Sequence, residues 1–144
     1  MEIRIAQPSD AEAIEAFDHV ARSGASRREF INSSLLASGH CWVAVVDGQA
    51  VAYAVLEHTF FENGFVSMLY VNPEFRCRGL GSALLRHLED QCRTAKLFTS
   101  TNQSNHAMRA LLAKLNYKPS GVIENLDEGD PELVYFKRLG PVTV

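Results

Sequence analysis

The chain has no run of 18 apolar residues, the length that spans a bilayer as a helix. Its opening, Met1-Glu2-Ile3-Arg4, has no apolar core of the kind that leads a secretory signal. These absences predict a cytoplasmic protein with no membrane partner. Cysteine is scarce. Cys41, Cys77 and Cys92 are odd in number and scattered, with no Cys-x-x-Cys pair, so neither a disulfide scaffold nor a metal site is expected. A basic excess is also missing. The 14 Lys and Arg against 17 Asp and Glu leave a formal charge of −3, which argues against nucleic acid as the main partner. What remains is a 144-residue chain, 47% hydrophobic and 22% charged, the size and composition of one globular domain over residues 1–144.

The order of elements predicts an α/β domain. Met1 to Ala6 alternates as a strand does. Ser9 and Glu12 are spaced as a capping box, followed by Ala13, Ile14, Phe17, Val20 and Ala21 at helical spacing. Ser26 and Glu29 form a second such box before Phe30, Ile31, Leu35 and Leu36. Cys41–Val46 and Gln49 to about His58 read as strands joined by an Asp47-Gly48 hairpin turn. Thr59 to Gly64 reads as a connection, with Phe60 and Phe61 in the core or lining a pocket. Lys96 to Thr101 is a further strand. Ser104 or Asn105 then caps a helix whose apolar face is Met108, Leu111, Leu112 and Leu115, and Asn116 stands where a left-handed cap is expected. Two last strands, about Tyr117–Leu126 and Leu133–Leu139, flank an acidic loop.

The stretch from Phe65 to Leu85 organises the rest. Phe65 to Val71 carries no charge and is rich in aromatic and β-branched residues, which predicts a strand covered on both faces and ended by Pro73. A helix is expected from Ser82 to about Arg93. Between them lie Arg76, Cys77, Arg78, Gly79, Leu80 and Gly81. The first N–H groups of a helix have no internal partner and its dipole is positive there, so a glycine-containing turn flanked by arginines predicts a phosphate ligand. Gly81 is followed by Ser82 and Ala83 with no Lys, which excludes a Walker loop. Leu84 stands where the dinucleotide fingerprint needs its third Gly. Two neighbouring cations would favour a reactive thiolate at Cys77, against the plainer role of a loop residue that contributes its N–H.

Arg76-x-x-Gly79-x-Gly81 after a strand resembles the acyl-CoA pyrophosphate loop of the GCN5-related N-acetyltransferase (GNAT) superfamily, Gln/Arg-x-x-Gly-x-Gly/Ala. Asn105, Leu111, Leu112, Lys114 and Tyr117 are similar to that family's Asn-x-x-Ala-x-x-Leu-Tyr-x-Lys-x-Gly-Phe, with Met108 in place of the Ala. The resemblance follows the order of elements along nearly the whole chain, with close matching over 65–85 and 105–117. It implies a GNAT-like fold: a central mixed, mostly antiparallel sheet of six or seven strands, splayed at its centre and flanked by about four helices. It also implies acetyl-CoA as cosubstrate with an amine acceptor, no metal, and a monomer or homodimer with the last strand as a plausible dimer edge.

Residue by residue, the resemblance places CoA on Leu69, Tyr70, Val71, Arg76, Cys77, Arg78, Gly79, Leu80, Gly81, Ser82 and Asn105. Arg22, Ser23 and Arg27 would lie in the segment that walls the acceptor site, against the plainer reading of a solvated loop. Leu112 departs from the pattern, because the family often has there the tyrosine that protonates the leaving thiolate. Tyr70, Tyr53 or Tyr117 remain as donors, beside solvent or no acid at all. An alkyl ammonium must lose a proton before it attacks, and Glu57, His58 and Glu62 are the candidate bases. Tyr53, His58, Phe60, Asp127 and Glu128 are candidates for acceptor contact. Glu124, Asp127, Glu128, Asp130 and Glu132 fall within nine residues with no cation among them, which suits a cationic acceptor such as a polyamine, an aminoglycoside-like amine or a lysine side chain, and equally suits a solvated hairpin loop. A non-catalytic acyl-CoA-binding module is the alternative function, and a nucleotide-binding protein is poorly supported because no phosphate-transfer Lys accompanies the loop.

Overall fold

The computed structural model describes residues 1–18, 31 and 36–140. The expected second helix, its Ser26/Glu29 capping box, and Arg22, Ser23 and Arg27 lie outside the described residues. The described elements are β1 (Glu2–Ile5), a 3-10 turn at Pro8–Asp10, α1 (Ala11–Phe17), β2 (Cys41–Val46), β3 (Gln49–Phe60), β4 (Asn63–Val71), a 3-10 turn at Pro73–Phe75, α2 (Leu80–Gln91), β5 (Lys96–Asn102), α3 (His106–Lys114), β6 (Lys118–Ile123) and β7 (Glu132–Arg138). The strands form one seven-stranded sheet in the order β1-β2-β3-β4-β5-β7-β6. It is mostly antiparallel, with a parallel ladder between β4 and β5 from Gly64–Leu97 to Val66–Thr99. Among the described residues there are three α-helices, and none is long and apolar enough to cross a membrane.

The chain divides into two compact units: residues 1–56 with 68–87, and residues 57–67 with 88–144. In the first, Ile14, Phe17, Val43, Val45, Tyr53 and Val55 form a buried cluster against which Met68 and Tyr70 pack. Burial also pushes the Cys41 thiol up to about 12, with a smaller push from Asp10. The start of α1 differs from the Ser9/Glu12 capping box expected. Asp10 stands at the N-cap position but its side chain makes no bond into the helix; its carboxylate closes the preceding turn, accepting from the Gln7 N–H at 2.7 Å, and takes a two-pronged Arg4 guanidinium at 2.9 Å on each oxygen. Arg4 on β1 reaches the turn and forks onto both oxygens of Asp10, which fixes that carboxylate away from the helix N–H groups.

In the second unit, β5 alternates half-buried and buried residues, with Leu97, Thr99 and Thr101 on the covered side. β7 pairs antiparallel with both β5 and β6. α3 ends as its sequence predicts. Asn116 is left-handed at φ 70°, its N–H bonds the Ala113 carbonyl, and the Tyr117 N–H bonds the Leu112 carbonyl, so the last carbonyls of the helix are satisfied. The expected connection from Thr59 to Gly64 is replaced by a tight hairpin. β3 runs to Phe60, β4 starts at Asn63, and Phe61 and Glu62 turn the chain at φ 49° and 66°. That backbone twist suits a two-residue hairpin but is written with neither Asn nor Gly, so the sequence did not reveal it.

Candidate acyl-CoA site

The central strand arrives half exposed rather than covered on both faces. Met68, Leu69, Tyr70 and Val71 are each part-exposed and Ser67 is exposed, whereas Val66 is buried. Asn72 ends the strand. Its N–H bonds the Val51 carbonyl at 2.8 Å, and its side chain caps the Pro73–Phe75 turn by accepting from the Glu74 N–H at 3.0 Å. Pro73 supplies a fixed φ at the first position of that turn.

The loop that follows is shaped by two left-handed residues. Cys77 has φ 62° and Gly79 φ 80°, with Arg78 between them. A Cβ at Gly79 would meet nothing within 4 Å, so conformation rather than crowding selects glycine there. Alternation of this kind gathers successive backbone N–H groups into a concavity suited to an anion. The Ala83 N–H reaches back to the Gly79 carbonyl at 3.0 Å, so the helical ladder closes directly behind the loop. α2 begins at Leu80, two residues earlier than expected, because Leu80 is buried and Gly81 and Ser82 already lie in its first turn. The arginines are held by ring faces. The Arg76 guanidinium lies 5.8 Å over Tyr70, with its Nε 3.4 Å from the Val71 carbonyl oxygen, and Arg78 lies 4.8 Å over Phe75. Both residues remain exposed, as does Cys77. Leu69, Tyr70, Val71 and Arg76 to Ser82 thus fall together in the first unit.

Tyr53, expected at the acceptor site or as an acid, is fully buried. Its hydroxyl donates to the Asp18 carboxylate at 2.6 Å, and Asp18 is fully buried as well. With no surface open to a ligand, Tyr53 belongs to the core beneath Tyr70. The three rings of Phe17, Tyr53 and Tyr70 lie within 6.1 to 6.4 Å of one another. Sequence reading missed Asp18, a lone carboxylate at the end of an apolar stripe whose partner stands 35 residues away. Tyr117 is also unsuited to proton donation. It is buried, donates to Glu89 at 2.9 Å, and its hydroxyl is pushed well above the usual tyrosine range by burial first and by the Glu89 carboxylate second.

The remaining candidates fall in the second unit. His58 accepts the Arg93 N–H at its Nε2, 3.1 Å away, so that lone pair is occupied. Glu57 is part-exposed and Glu62 is exposed at the hairpin turn. Phe60 packs in a row of rings, 4.6 Å from Phe65 and 5.3 Å from Phe98. Asn105 caps α3, its Oδ1 accepting from the Met108 N–H at 3.1 Å, which leaves its NH2 group turned outward as a donor. The acidic loop is fastened rather than loose. Asn102 donates to Asp127 at 2.9 Å, Ser104 donates twice to Asp130, and Ser100 donates to Glu132 at 2.7 Å. Asn125 and Gly129 supply its left-handed bends. Three of the five carboxylates are therefore tied to β5 and the turn after it, while Glu124 and Glu128 are exposed. Leu112, at the position of the family tyrosine, has no exposed surface. Among the described residues no group of His, Cys, Asp and Glu is arranged to hold a metal ion.

The comparisons with known proteins bear on the family and the fold. A crystal structure of a GNAT-family acetyltransferase from Bacillus cereus ATCC 10987 is 32% identical, with a TM-score of 0.86 over 95% of this chain and 96% of the other. A putative streptothricin acetyltransferase from Bacillus anthracis in complex with acetyl coenzyme A shares the fold, at 14% identity and a TM-score of 0.63 over 68% of this chain and 61% of the other. The uncharacterized N-acetyltransferase YafP of Escherichia coli K12 is 39% identical over 54 residues, 37% of this chain, and the match spans about a third (32%) of that relative's length. The model of the Acetyltransferase (GNAT) family matches residues 9–117, and the chain belongs to that family.

Proposed function

We propose that the chain is a single acetyl-CoA-dependent N-acetyltransferase domain over residues 1–144, acting on a primary amine of a small cationic molecule or a peptide. The observation that carries this reading is the Arg76–Gly81 loop, with its left-handed Cys77 and Gly79 running into the first turn of α2. In this reading the CoA pyrophosphate sits on the N–H groups of Cys77 to Ser82, and Arg76 and Arg78 add charge at its edges. The part-exposed backbone of Leu69, Tyr70 and Val71 takes the pantetheine arm as an added strand, and the Asn105 amide donates to it.

The chemistry is direct transfer. The amine lone pair attacks the thioester carbonyl carbon, a C–N bond forms, and the C–S bond breaks with its electron pair leaving on the CoA sulfur. The acceptor must first be unprotonated, and an alkyl amine has a pKa of about 10. Glu57 and Glu62 are the proposed proton acceptors, since the Nε2 lone pair of His58 is already taken. Tyr70 is the proposed proton donor to the leaving thiolate. Glu128 and the free oxygen of Asp127 are the proposed contacts to a cationic acceptor, with Phe60 and His58 as its apolar and polar neighbours. A second reading, an acyl-CoA-binding module without turnover, is favoured by one observation: Leu112 is core and has no proton to give.

Calorimetric titration with acetyl-CoA tests the loop. The native chain is expected to bind at micromolar levels, and Gly81→Trp to lose binding while keeping its melting temperature. No binding by the native chain refutes the proposal at its centre. Release of CoA thiol that depends on an added amine, screened first with polyamines, separates the enzyme from the binding module.

A further inference from the structure

Three cations border a row of rings at one end of the sheet in the second unit. Lys137 on β7 turns to α2, its Nζ bonded to both oxygens of Glu89 at 3.0 and 3.1 Å. Strand alternation puts Phe136 and Arg138 on the opposite face. Residues directly paired across a ladder share a face, so the register carries that face from strand to strand. Phe136 stands opposite Phe98 on β5 and Lys118 on β6, Phe98 stands opposite Phe65 on β4, and Arg138 stands opposite Lys96. The rings form a continuous row. Phe98 lies 5.9 Å from Phe136, and Phe60 lies 5.3 Å from Phe98 and 4.6 Å from Phe65. All four rings and Lys96 are part-exposed, and Lys118 and Arg138 are exposed. Val134, the next residue of this face on β7, is buried, so the open part of the face ends at the rings.

Nothing in the fold answers the three charges. Lys96 faces Arg138 directly, and Lys118 is a diagonal neighbour of Arg138, about 7–8 Å away. None of the three has an acidic partner among the described residues. Like charges so placed weaken a sheet unless something neutralises them. The chain as a whole carries −3, so a local positive excess runs against its composition. A carboxylate would answer only one of these cations, whereas a phosphate monoester brings a charge of about −1.5 to −2 and three strong acceptor oxygens. Arg138 can fork onto two of those oxygens, and the lysines add point charges. The rings decide the rest of the ligand. Phe60 with Phe65, and Phe98 with Phe136, are stacked at 24° and 29°, which leaves ring edges at the surface. Ring edges are positive and attract the π face of a flat group laid across them. Lys96 and Arg138 stand two residues from Phe98 and Phe136 along their strands, about 7 Å. A nucleoside monophosphate has a spacing of that order, with one ribose between base and phosphate. We propose that this face binds a nucleoside monophosphate, its phosphate among Lys96, Lys118 and Arg138 and its base across Phe98, Phe65 and Phe60. All of these residues lie in the second unit, and none belongs to the Arg76–Gly81 loop.

Equilibrium dialysis of the full chain with AMP, adenosine and inorganic phosphate tests this, beside Lys118→Gln, Arg138→Gln and the double variant. AMP is expected to bind the native chain, and adenosine and phosphate to bind about tenfold more weakly or worse, since each keeps only one half of the contacts. Each single variant is expected to weaken AMP by about threefold to fivefold, and the double variant by about tenfold. Both positions are exposed and both changes relieve repulsion, so without ligand the variants are expected to melt no lower than the native chain. AMP is expected to raise the melting temperature of the native chain and to leave that of the double variant nearly unmoved. Two controls separate this site from the proposed CoA loop: Gly81→Trp is expected to keep AMP binding, and excess acetyl-CoA to leave AMP bound. AMP that fails to bind the native chain, that binds no better than adenosine, that ignores the double variant, or that is lost in Gly81→Trp or displaced by acetyl-CoA overturns the proposal. Sedimentation of the same samples covers a second copy as the occupant, and a dimer that the double variant breaks and AMP does not also overturns it.

Discussion

Replacing Tyr53 by Phe tests whether the buried pair beneath Tyr70 holds the core of the first unit. The substitution removes one oxygen and keeps the ring, so packing against Phe17 and Tyr70 is preserved. What is lost is the 2.6 Å bond to a carboxylate with no exposed surface. Asp18 is also the C-cap residue of α1, where the helix dipole opposes a negative charge. A hydrogen bond to a charged group contributes about 1.5–3 kcal/mol, and most of that is lost because water cannot replace the donor. For a chain of this size the loss is expected as a fall of about 5–10 °C in melting temperature, read by thermal unfolding and checked by urea denaturation. Tyr135→Phe is the control. That residue is similarly buried, but its hydroxyl makes no bond among the described residues, and its removal is expected to change the melting temperature by about 1–2 °C at most. A Tyr53→Phe protein that melts with the native one, or no lower than the control, refutes the reasoning.

Two further outcomes follow. Glu62→Gly relieves a left-handed non-glycine residue and is expected to stabilise the hairpin by about 1 kcal/mol in urea unfolding. Coupled with an acetyl-transfer assay it also separates two roles, since turnover that survives the change removes Glu62 from the proposed bases and leaves Glu57. Tyr117 sets an alkaline limit. Its hydroxyl titrates above the ordinary value of 10.0 in the folded chain, so the stability it contributes is fully present below pH 10 and is lost as pH rises from there toward its folded value. Native protein is expected to unfold at lower urea as pH rises above 10 more steeply than Tyr117→Phe does, and parallel curves for the two proteins contradict the assignment.

What the sequence made legible depended on how local the determining physics is. The Asp47-Gly48 turn, the Asn105 cap and the left-handed Asn116 were each predicted from one or two residues because the backbone conformation and the residue that tolerates it are neighbours. The strand–loop–helix junction at Arg76 to Gly81 was legible for the same reason, its glycine and its helix being contiguous, although the left-handed Cys77 gave no sign, since cysteine has no special liking for that region. The misses are non-local. The start of α1 carries an Asp10 tied to Gln7 and to Arg4 on another element, a pairing that the Ser9/Glu12 spacing does not reveal. Tyr53 passed as a pocket residue until Asp18, 35 positions away, was seen to bury it. The acidic loop passed equally as a cation trap or a solvated hairpin, and the difference lay with Asn102 and Ser104, which sit on the far side of α3 in the chain and tie down two of its carboxylates. Asn102 and Ser104 are neutral donors, so they hold Asp127 and Asp130 in place without cancelling their charge. In the proposed function the loop therefore keeps its full run of carboxylates for a cationic acceptor, and a polyamine series should show kcat/KM rising with the number of ammonium groups, a flat series counting against acceptor contact at this loop.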